Sequence, residues 1–139
     1  MSAFTMALMA AVIWGLAAFC EKMGLRGADP MAGVVARSLG VMLGGVAMTF
    51  AVPDLVVKVR DMGWPSFTWL AGGGVLASIL GQVFFYRALK IGEIGKVATV
   101  GGSWPLMAFF LSVFFLNEAA SPRKLAGVAL VILGVSLLR

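Results

Sequence analysis

"FFLNEAASPRKLAGVALVILG", residues 114–134, places a single carboxylate, Glu118, between two apolar runs. Ser121 and Pro122 stand directly ahead of the second run. Serine is a preferred cap for the free N–H groups of a new helix, and proline is favoured in the first helical turn. The stretch therefore predicts two apolar helices joined by a short polar turn.

The composition of the whole chain is that of a membrane protein. Of its 139 residues, 61% are apolar and 12% are charged, against roughly 45–50% and about 25% in ordinary globular domains. A helix needs roughly 17–25 residues to cross the hydrocarbon core of a bilayer. The apolar runs predict five spans, at about 3–25, 31–52, 67–89, 96–116 and 122–138. We expect an all-α integral membrane protein in which residues 1–139 form one transmembrane domain.

The longest connection between predicted spans runs from Pro53 to Ser66 and contains the sequence "DLVVKVRDMGWP". Its mixture of apolar and basic residues, together with Trp64, is typical of a segment that lies at the membrane surface. The other connections are short turns.

The basic residues are distributed almost evenly between the two sides of the predicted membrane domain. The formal net charge is +5, but Lys and Arg in short turns normally orient membrane proteins, so we expect no nucleic-acid partner. One side would carry Lys58, Arg60, Arg123 and Lys124. The other would carry Lys22, Arg26, Arg37, Arg87, Lys90, Lys96 and Arg139.

This count of four against seven favours an N-out, C-in orientation. However, Lys22 and Arg37 lie within or at the edge of predicted spans. Without them the count is four against five, a bias weak enough for the chain to insert both ways round.

The sequence lacks the residues that catalysis would need. It contains no histidine and a single cysteine, Cys20, and no two carboxylates fall within one predicted membrane interior. Nucleophilic, acid–base and metal-assisted catalysis each require at least one such constellation. We therefore predict that the protein is not an enzyme and holds neither a cofactor nor a metal.

Polar side chains at helical spacing mark a candidate cavity inside the membrane. They are four residues apart on the third and fourth spans: Ser78, Gln82 and Tyr86, then Thr99 and Ser103. Pro105 cannot bond to the carbonyl of Gly101, which favours a kink. Irregular backbone at membrane depth is tolerated where it is buried in protein or lines a watery cavity. Alternatively, these side chains only hydrogen-bond between packed helices.

Further candidates lie on the first two spans. Trp14 is a candidate cavity residue in the middle of the first span, and Glu21 and Lys22 follow on roughly the same face. We expect those two charges to pair with neighbours at the membrane edge. Arg37 lies seven residues after Pro30, about 10 Å into the second span. It is either an anion-attracting cavity residue or an anchor that extends to the surface.

Small residues recur every four positions on three spans. The stripes are Ala3, Ala7, Ala11 and Gly15; Ala32, Ala36, Gly40 and Gly44; and Gly73, Ala77 and Gly81. Such stripes let helix backbones approach closely in lipid. They predict tight helix packing, either within one chain or between chains.

The ordered spacing of these residues resembles the EamA domain of the drug/metabolite transporter superfamily. The first half of the resemblance is carried by "WGLAAFCEK" (residues 14–22), Pro30 and Arg37. The second half is carried by "YRALKIGEIGKVA" (residues 86–98), Pro105, Glu118, Gly127, Leu130 and Gly134. The resemblance implies secondary transport of small metabolites, such as amino acids or their analogues, or of drugs. Transport would cross the cytoplasmic membrane by alternating access, with membrane lipid and a small-molecule substrate as partners.

Larger members of this family resemble two five-helix repeats of opposite orientation in one chain, and this sequence holds one repeat. Alternating access by inverted repeats needs both halves around a site at the membrane midplane. Together with the nearly balanced charges, this implies an antiparallel homodimer, with a heteromeric partner as the alternative. Two other functions stay open: a small multidrug-resistance-like cation/proton exchanger, and a non-transporting membrane subunit or lipid-carrier flippase component.

Glu118 matches the acidic position that the family motif places between the fourth and fifth helices. Its carboxylate could accept from the free N–H groups of the fifth helix, or pair with Arg123 or Lys124. We expect a structural cap, with proton coupling as the alternative.

Overall fold

The computed structural model describes residues 1–138, which form helices and turns and contain no strand. The helices are α1 (Ala3–Gly24), α2 (Pro30–Ala51), α3 (Leu55–Asp61), α4 (Gly63–Val75), α5 (Gly81–Ile91), α6 (Ile94–Gly101), α7 (Trp104–Phe115) and α8 (Pro122–Ser136). A π-helical segment, Leu76–Leu80, joins α4 to α5. Four of the described helical segments are long and apolar enough to cross a membrane: Ala3–Gly24, Pro30–Ala51, Gly63–Ile91 and Ile94–Phe115.

Side-chain caps set the starts of α2 and α8. The Asp29 carboxylate accepts hydrogen bonds from the backbone N–H groups of Met31 at 2.8 Å and Ala32 at 3.2 Å. Ser121 Oγ accepts from the N–H of Lys124 at 3.4 Å, which confirms the cap predicted from the sequence. In both helices a proline occupies the first turn, where the missing N–H would have had no helical partner.

The third span differs from the prediction at its start. The sequence predicts a surface connection over 53–66, but the structure forms α3 within it and begins the next long helix at Gly63, four residues before the expected 67. Pro65 lies in the first turn of α4, where it breaks no helical hydrogen bond. A proline that resembles a turn signal therefore lies inside the helix.

The π-helical segment changes the register of the third span. The N–H of Gly81 bonds to the carbonyl of Leu76, five residues earlier, and a Cβ on Gly81 would come within 3.2 Å of that oxygen. The regular α-helical spacing assumed between Ser78 and Gln82 is therefore interrupted. Gln82 and Tyr86 are buried, while Ser78 is only half-buried.

The fourth span is divided at the proline. Helix α6 ends at Gly101, a turn occupies residues 102–103, and Pro105 is the second residue of α7. Helix α8 has 15 residues, about 22 Å at 1.5 Å per residue. It is therefore shorter than the four segments above.

The chain forms two compact units. One is Phe19–Ile91, and the other combines Met1–Ala18 with the segment that begins at Gly92. The Phe19–Ile91 unit has a small core of buried residues: Leu25, Val34, Tyr86 and Leu89. In the other unit, the rings of Trp14 and Trp104 meet edge to face with their centroids 6.1 Å apart.

Large apolar side chains cover the outer surface of the chain. Phe4 is 79% exposed, Phe50 is 88% exposed and Trp69 is 84% exposed. An exposed apolar surface this extensive is unfavourable in water and suits contact with lipid or another membrane helix.

Gly33 lies on α2 where the side chains of Leu25 and Tyr86 pack closely against the helix. A Cβ at this position would lie 3.0 Å from Leu25 Cδ2 and 3.1 Å from two ring carbons of Tyr86. We expect Gly33→Ala to lower the free energy of unfolding by about 1–3 kcal/mol, since overpacking a tight contact forces its neighbours to move. The matched control is Gly45→Ala on the same helix, where a Cβ meets nothing within 4 Å.

Gly45→Ala should raise the free energy of unfolding slightly, because alanine is favoured over glycine in a helix by about 1 kcal/mol. The measurement is the thermal midpoint of unfolding in detergent micelles. Equal midpoints for the two variants would contradict the packing of Tyr86 against Gly33.

Candidate functional site

Four polar residues from three helices meet in the Phe19–Ile91 unit, and we call them the polar cluster: Glu21 on α1, Arg37 on α2, and Gln82 and Tyr86 on α5. Arg37 Nε donates to Glu21 Oε1 at 3.1 Å. Gln82 Nε2 donates to the other carboxylate oxygen at 3.2 Å. The Tyr86 hydroxyl lies near the side chains of Glu21 and Gln82. The carboxylate of Glu21 is thus the centre of the cluster.

The cluster is largely withdrawn from solvent. The side chain of Glu21 is 18% exposed and that of Arg37 is 30% exposed, while Gln82 is 9% exposed. Within residues 1–138, Nη1 of Arg37 is buried and has no hydrogen-bond partner. One positive and one negative charge give the cluster a formal charge of zero.

The ring of Tyr86 is fixed by packing. Tyr86 is only 3% exposed, and the absence of a side chain at Gly33 leaves room for the ring against α2. Because the ring is held between α2 and α5, its hydroxyl has a defined position beside Glu21 and Gln82.

Two lysines join the C-terminal ends of α1 and α5, and we call this arrangement the lysine clasp. Lys90 Nζ donates to the carbonyls of Leu25 at 2.6 Å, Ala28 at 2.9 Å and Arg26 at 3.2 Å, just after α1 ends. In return, Lys22 Nζ donates to the carbonyl of Leu89 in the last turn of α5. Cations are favoured at helix C-termini because the last carbonyls lack helical partners and the helix dipole is negative there. The clasp holds together the helix ends that carry Glu21 and Tyr86.

Removal of the Lys90 ammonium should loosen these helix ends. We expect Lys90→Met to lower the free energy of unfolding by on the order of 1–2 kcal/mol, because a charged donor to three carbonyls is lost at a partly solvated site. The control is Lys96→Met at an exposed position, which should change stability by less than about 0.5 kcal/mol. Equal thermal midpoints for both variants in detergent would contradict a stabilising clasp.

The other predicted cavity residues belong to other segments of the chain. Ser78 is in the π-helical segment. The hydroxyls of Thr99 and Ser103 donate to carbonyls of their own chain segment, Gly95 at 2.7 Å and Val100 at 2.6 Å. Trp14, at 59% exposed, packs on Trp104 in the unit that contains Met1–Ala18. The polar cluster therefore brings together Arg37, Gln82 and Tyr86, whereas Thr99, Ser103 and Trp14 belong to the other compact unit.

Glu118 lies in the turn before α8. Its carboxylate is 3.6 Å from Lys124 Nζ, and both side chains are about half exposed, at 52% and 48%. An ion pair this exposed contributes little to stability. The pair links the turn to the first turn of α8, whose N-terminal cap is Ser121.

Sequence reasoning identified Glu21 only as an edge charge and gave Lys90 no role. A depth count would have indicated the pairing, because Glu21 lies three residues before the end of α1 and Arg37 seven residues after the start of α2. Consecutive spans cross a bilayer in opposite directions, so this count would place both residues towards the same side of the predicted membrane domain. Within residues 1–138, no three His, Cys, Asp or Glu side chains are grouped as a metal site would need. The charged and hydrogen-bonding side chains of the polar cluster instead suit a ligand that carries charged or polar groups.

Comparison with known proteins agrees with a transport role. A family model described as the EamA-like transporter family matches residues 1–139. The chain is 28% identical over 135 residues to a probable amino-acid metabolite efflux pump of Salmonella typhimurium, covering 96% of this chain and 41% of the pump. It is 23% identical over 137 residues to an uncharacterised protein of Methanocaldococcus jannaschii, covering 99% and 96% of the two chains. The chain thus spans about two fifths of the pump's length. No solved structure matches it.

Proposed function

The chain belongs to the EamA-like transporter family, and from this premise we propose that it moves amino acids, their analogues or related small metabolites across the cytoplasmic membrane. As a member of this family it is a multi-pass membrane transporter of the drug/metabolite type, with a small-molecule substrate and a lipid environment. Membership in a transporter family points away from an enzyme. The polar cluster carries the proposal, because charged residues within membrane spans are costly and commonly mark the path of a substrate or ion.

The amino-acid class is supported by the Salmonella relative, whose name describes an efflux pump for amino-acid metabolites. The polar cluster fits such polar substrates, since it holds the opposite charges of Glu21 and Arg37 side by side. Gln82 and the Tyr86 hydroxyl add neutral hydrogen-bonding groups beside them. The drugs implied by the family's name would need a larger apolar surface in addition.

The proposed assembly is an antiparallel homodimer of five-span chains that works by alternating access. Helix α8 would be the fifth span, tilted little or accommodated by local thinning of the bilayer, since it is only about 22 Å long. Several glycines of the small-residue stripes are open: a Cβ would meet nothing within 4 Å at Gly15, Gly40, Gly44 or Gly73. These faces remain available for close contact with a second chain. Such a dimer would join two repeats into one domain around a shared site.

The cation/proton exchanger is the weaker alternative. Such an exchanger needs a carboxylate that alternates between a proton and a cation, but Glu21 is paired with Arg37 at 3.1 Å. Glu118, the other candidate, is half exposed and lies beside Lys124. We propose that Glu118 stabilises the turn before α8 through its pair with Lys124, while Ser121 caps the helix.

Reconstituted transport tests this function. Purified protein in liposomes should exchange radiolabelled amino acids from a panel, with or without a pH gradient. Gln82→Ala should lower the rate at least about tenfold, since it removes a buried donor to Glu21. The control is Thr49→Ala, because the exposed Thr49 hydroxyl bonds only to a carbonyl of its own helix. Failure of the wild-type protein to move any amino acid would contradict the proposal and favour a non-transporting subunit or a flippase component.

A further inference from the structure

The ion pair between Glu21 and Arg37 is incompletely satisfied. Only Nε of the guanidinium contacts the carboxylate, although an arginine can offer two parallel N–H groups to a carboxylate and gains strength by doing so. Within residues 1–138, Nη1 is buried without a hydrogen-bond partner. By contrast, the ammonium of Lys90 is surrounded by three carbonyls. The lysine clasp is a completed structural contact, whereas Arg37 retains a donor for a further acceptor.

The charge of the cluster limits what it can bind. Glu21 and Arg37 cancel, and an uncompensated charge in an apolar environment is strongly unfavourable. A cation that displaced Arg37 from Glu21 would leave the guanidinium without a counter-charge. An anion that displaced Glu21 would leave the carboxylate without one. A ligand with both charges replaces the single ion pair with two and leaves neither group uncompensated.

We propose that Glu21 and Arg37 recognise the two charged groups of a zwitterionic α-amino acid. Arg37 binds the substrate carboxylate through its guanidinium, and Glu21 binds the substrate ammonium group. Both substrate groups are attached to the same carbon, so they fit between two side chains that already touch. Gln82 holds the second oxygen of Glu21 while the pair opens. Before a substrate binds, the two residues pair with each other as they do in the structure. This inference rests on the proposed transport function and makes the two residues the determinants of its substrate class.

The test uses substrates that lack one charge at a time. L-leucine is compared with L-leucinamide, which has no carboxylate, and with 4-methylpentanoate, which has no ammonium group, in the same proteoliposomes. The wild-type protein should move leucine at least about tenfold faster than either analogue, since each analogue leaves one charge unpaired. Arg37→Gln should remove the preference for leucine over leucinamide. Glu21→Gln should remove the preference for leucine over 4-methylpentanoate. Thr49→Ala should keep the wild-type ratios.

The double variant Glu21→Gln/Arg37→Gln separates recognition from a structural role. Recognition predicts a folded, monodisperse protein that no longer prefers the zwitterion. A purely structural pair predicts that the double variant regains leucine transport with the wild-type ratios, which would overturn the inference. Unchanged ratios in both single variants would also overturn it and leave the transport function intact. If wild-type protein moves none of the amino acids, the proposed function itself fails.

Discussion

Glu21→Gln is expected to lower the free energy of unfolding by roughly 2 kcal/mol, because it leaves the Arg37 guanidinium without a counter-charge inside apolar helices. Removing one partner of a fully buried pair costs about 3–5 kcal/mol. The lower figure reflects the partial exposure of these side chains, 18% for Glu21 and 30% for Arg37. The measurement is equilibrium unfolding by denaturant titration in detergent micelles.

A double-mutant cycle completes this test. Glu21→Gln/Arg37→Gln should be at least about 1 kcal/mol more stable than the sum of the single variants predicts, because neither charge is then left alone. Glu118→Gln is the matched control, since its pair with Lys124 at 3.6 Å is about half exposed. It should cost less than about 1 kcal/mol. Additive single effects at Glu21 and Arg37 would contradict a stabilising ion pair.

Forcing the chain into a single orientation is expected to slow transport strongly. Two pairs of exposed basic residues lie on opposite sides of the proposed five-span chain, which allows matched variants. The first variant is Arg87→Gln/Lys96→Gln and the second is Arg60→Gln/Arg123→Gln. Removing basic residues from one side should place the other side in the cytosol. Since alternating access needs two inverted halves, each variant alone should transport at least about tenfold more slowly than wild type.

Co-expression of the two variants should restore transport, because their opposite orientations rebuild the inverted pair. Transport is measured as uptake of the best-moved amino acid, with the amount of each variant in the membrane determined in parallel. Full transport by either variant alone would contradict the antiparallel arrangement. Failure of the co-expressed pair, with both variants present and monodisperse, would contradict it as well.

The sequence predicts much of the fold because helix ends carry recognisable residues. Asp29-Pro30 and Ser121-Pro122 mark the starts of α2 and α8 through caps that the structure contains. The sequence places the start of the third span too late, because the basic residues and Trp64 favour a surface segment, whereas α4 already begins at Gly63. The π-helical segment has no sequence signature of its own, and only the structure shows that the N–H of Gly81, just after it, bonds to the carbonyl of Leu76.

The candidate site was less predictable from the sequence. Periodicity predicts that Gln82 and Tyr86 face inward, and the count from Pro30 predicts that Arg37 lies inside the membrane. Neither shows that α1, α2 and α5 converge at Glu21, because helix neighbours in a membrane are chosen by packing detail such as the space at Gly33. Lys90 resembles any basic residue of a turn. Its role depends on carbonyls more than sixty residues away along the chain.

The orientation of the N-terminus in native membranes tests the antiparallel homodimer directly, since the proposed transporter consists of two inverted copies of this chain. Ser2→Cys in a Cys20→Ala background provides a single exposed thiol near the N-terminus. Labelling with a membrane-impermeant maleimide should reach about half of the molecules in intact cells and the remainder only after permeabilisation. Labelling of all molecules, or of none, before permeabilisation would contradict the antiparallel homodimer.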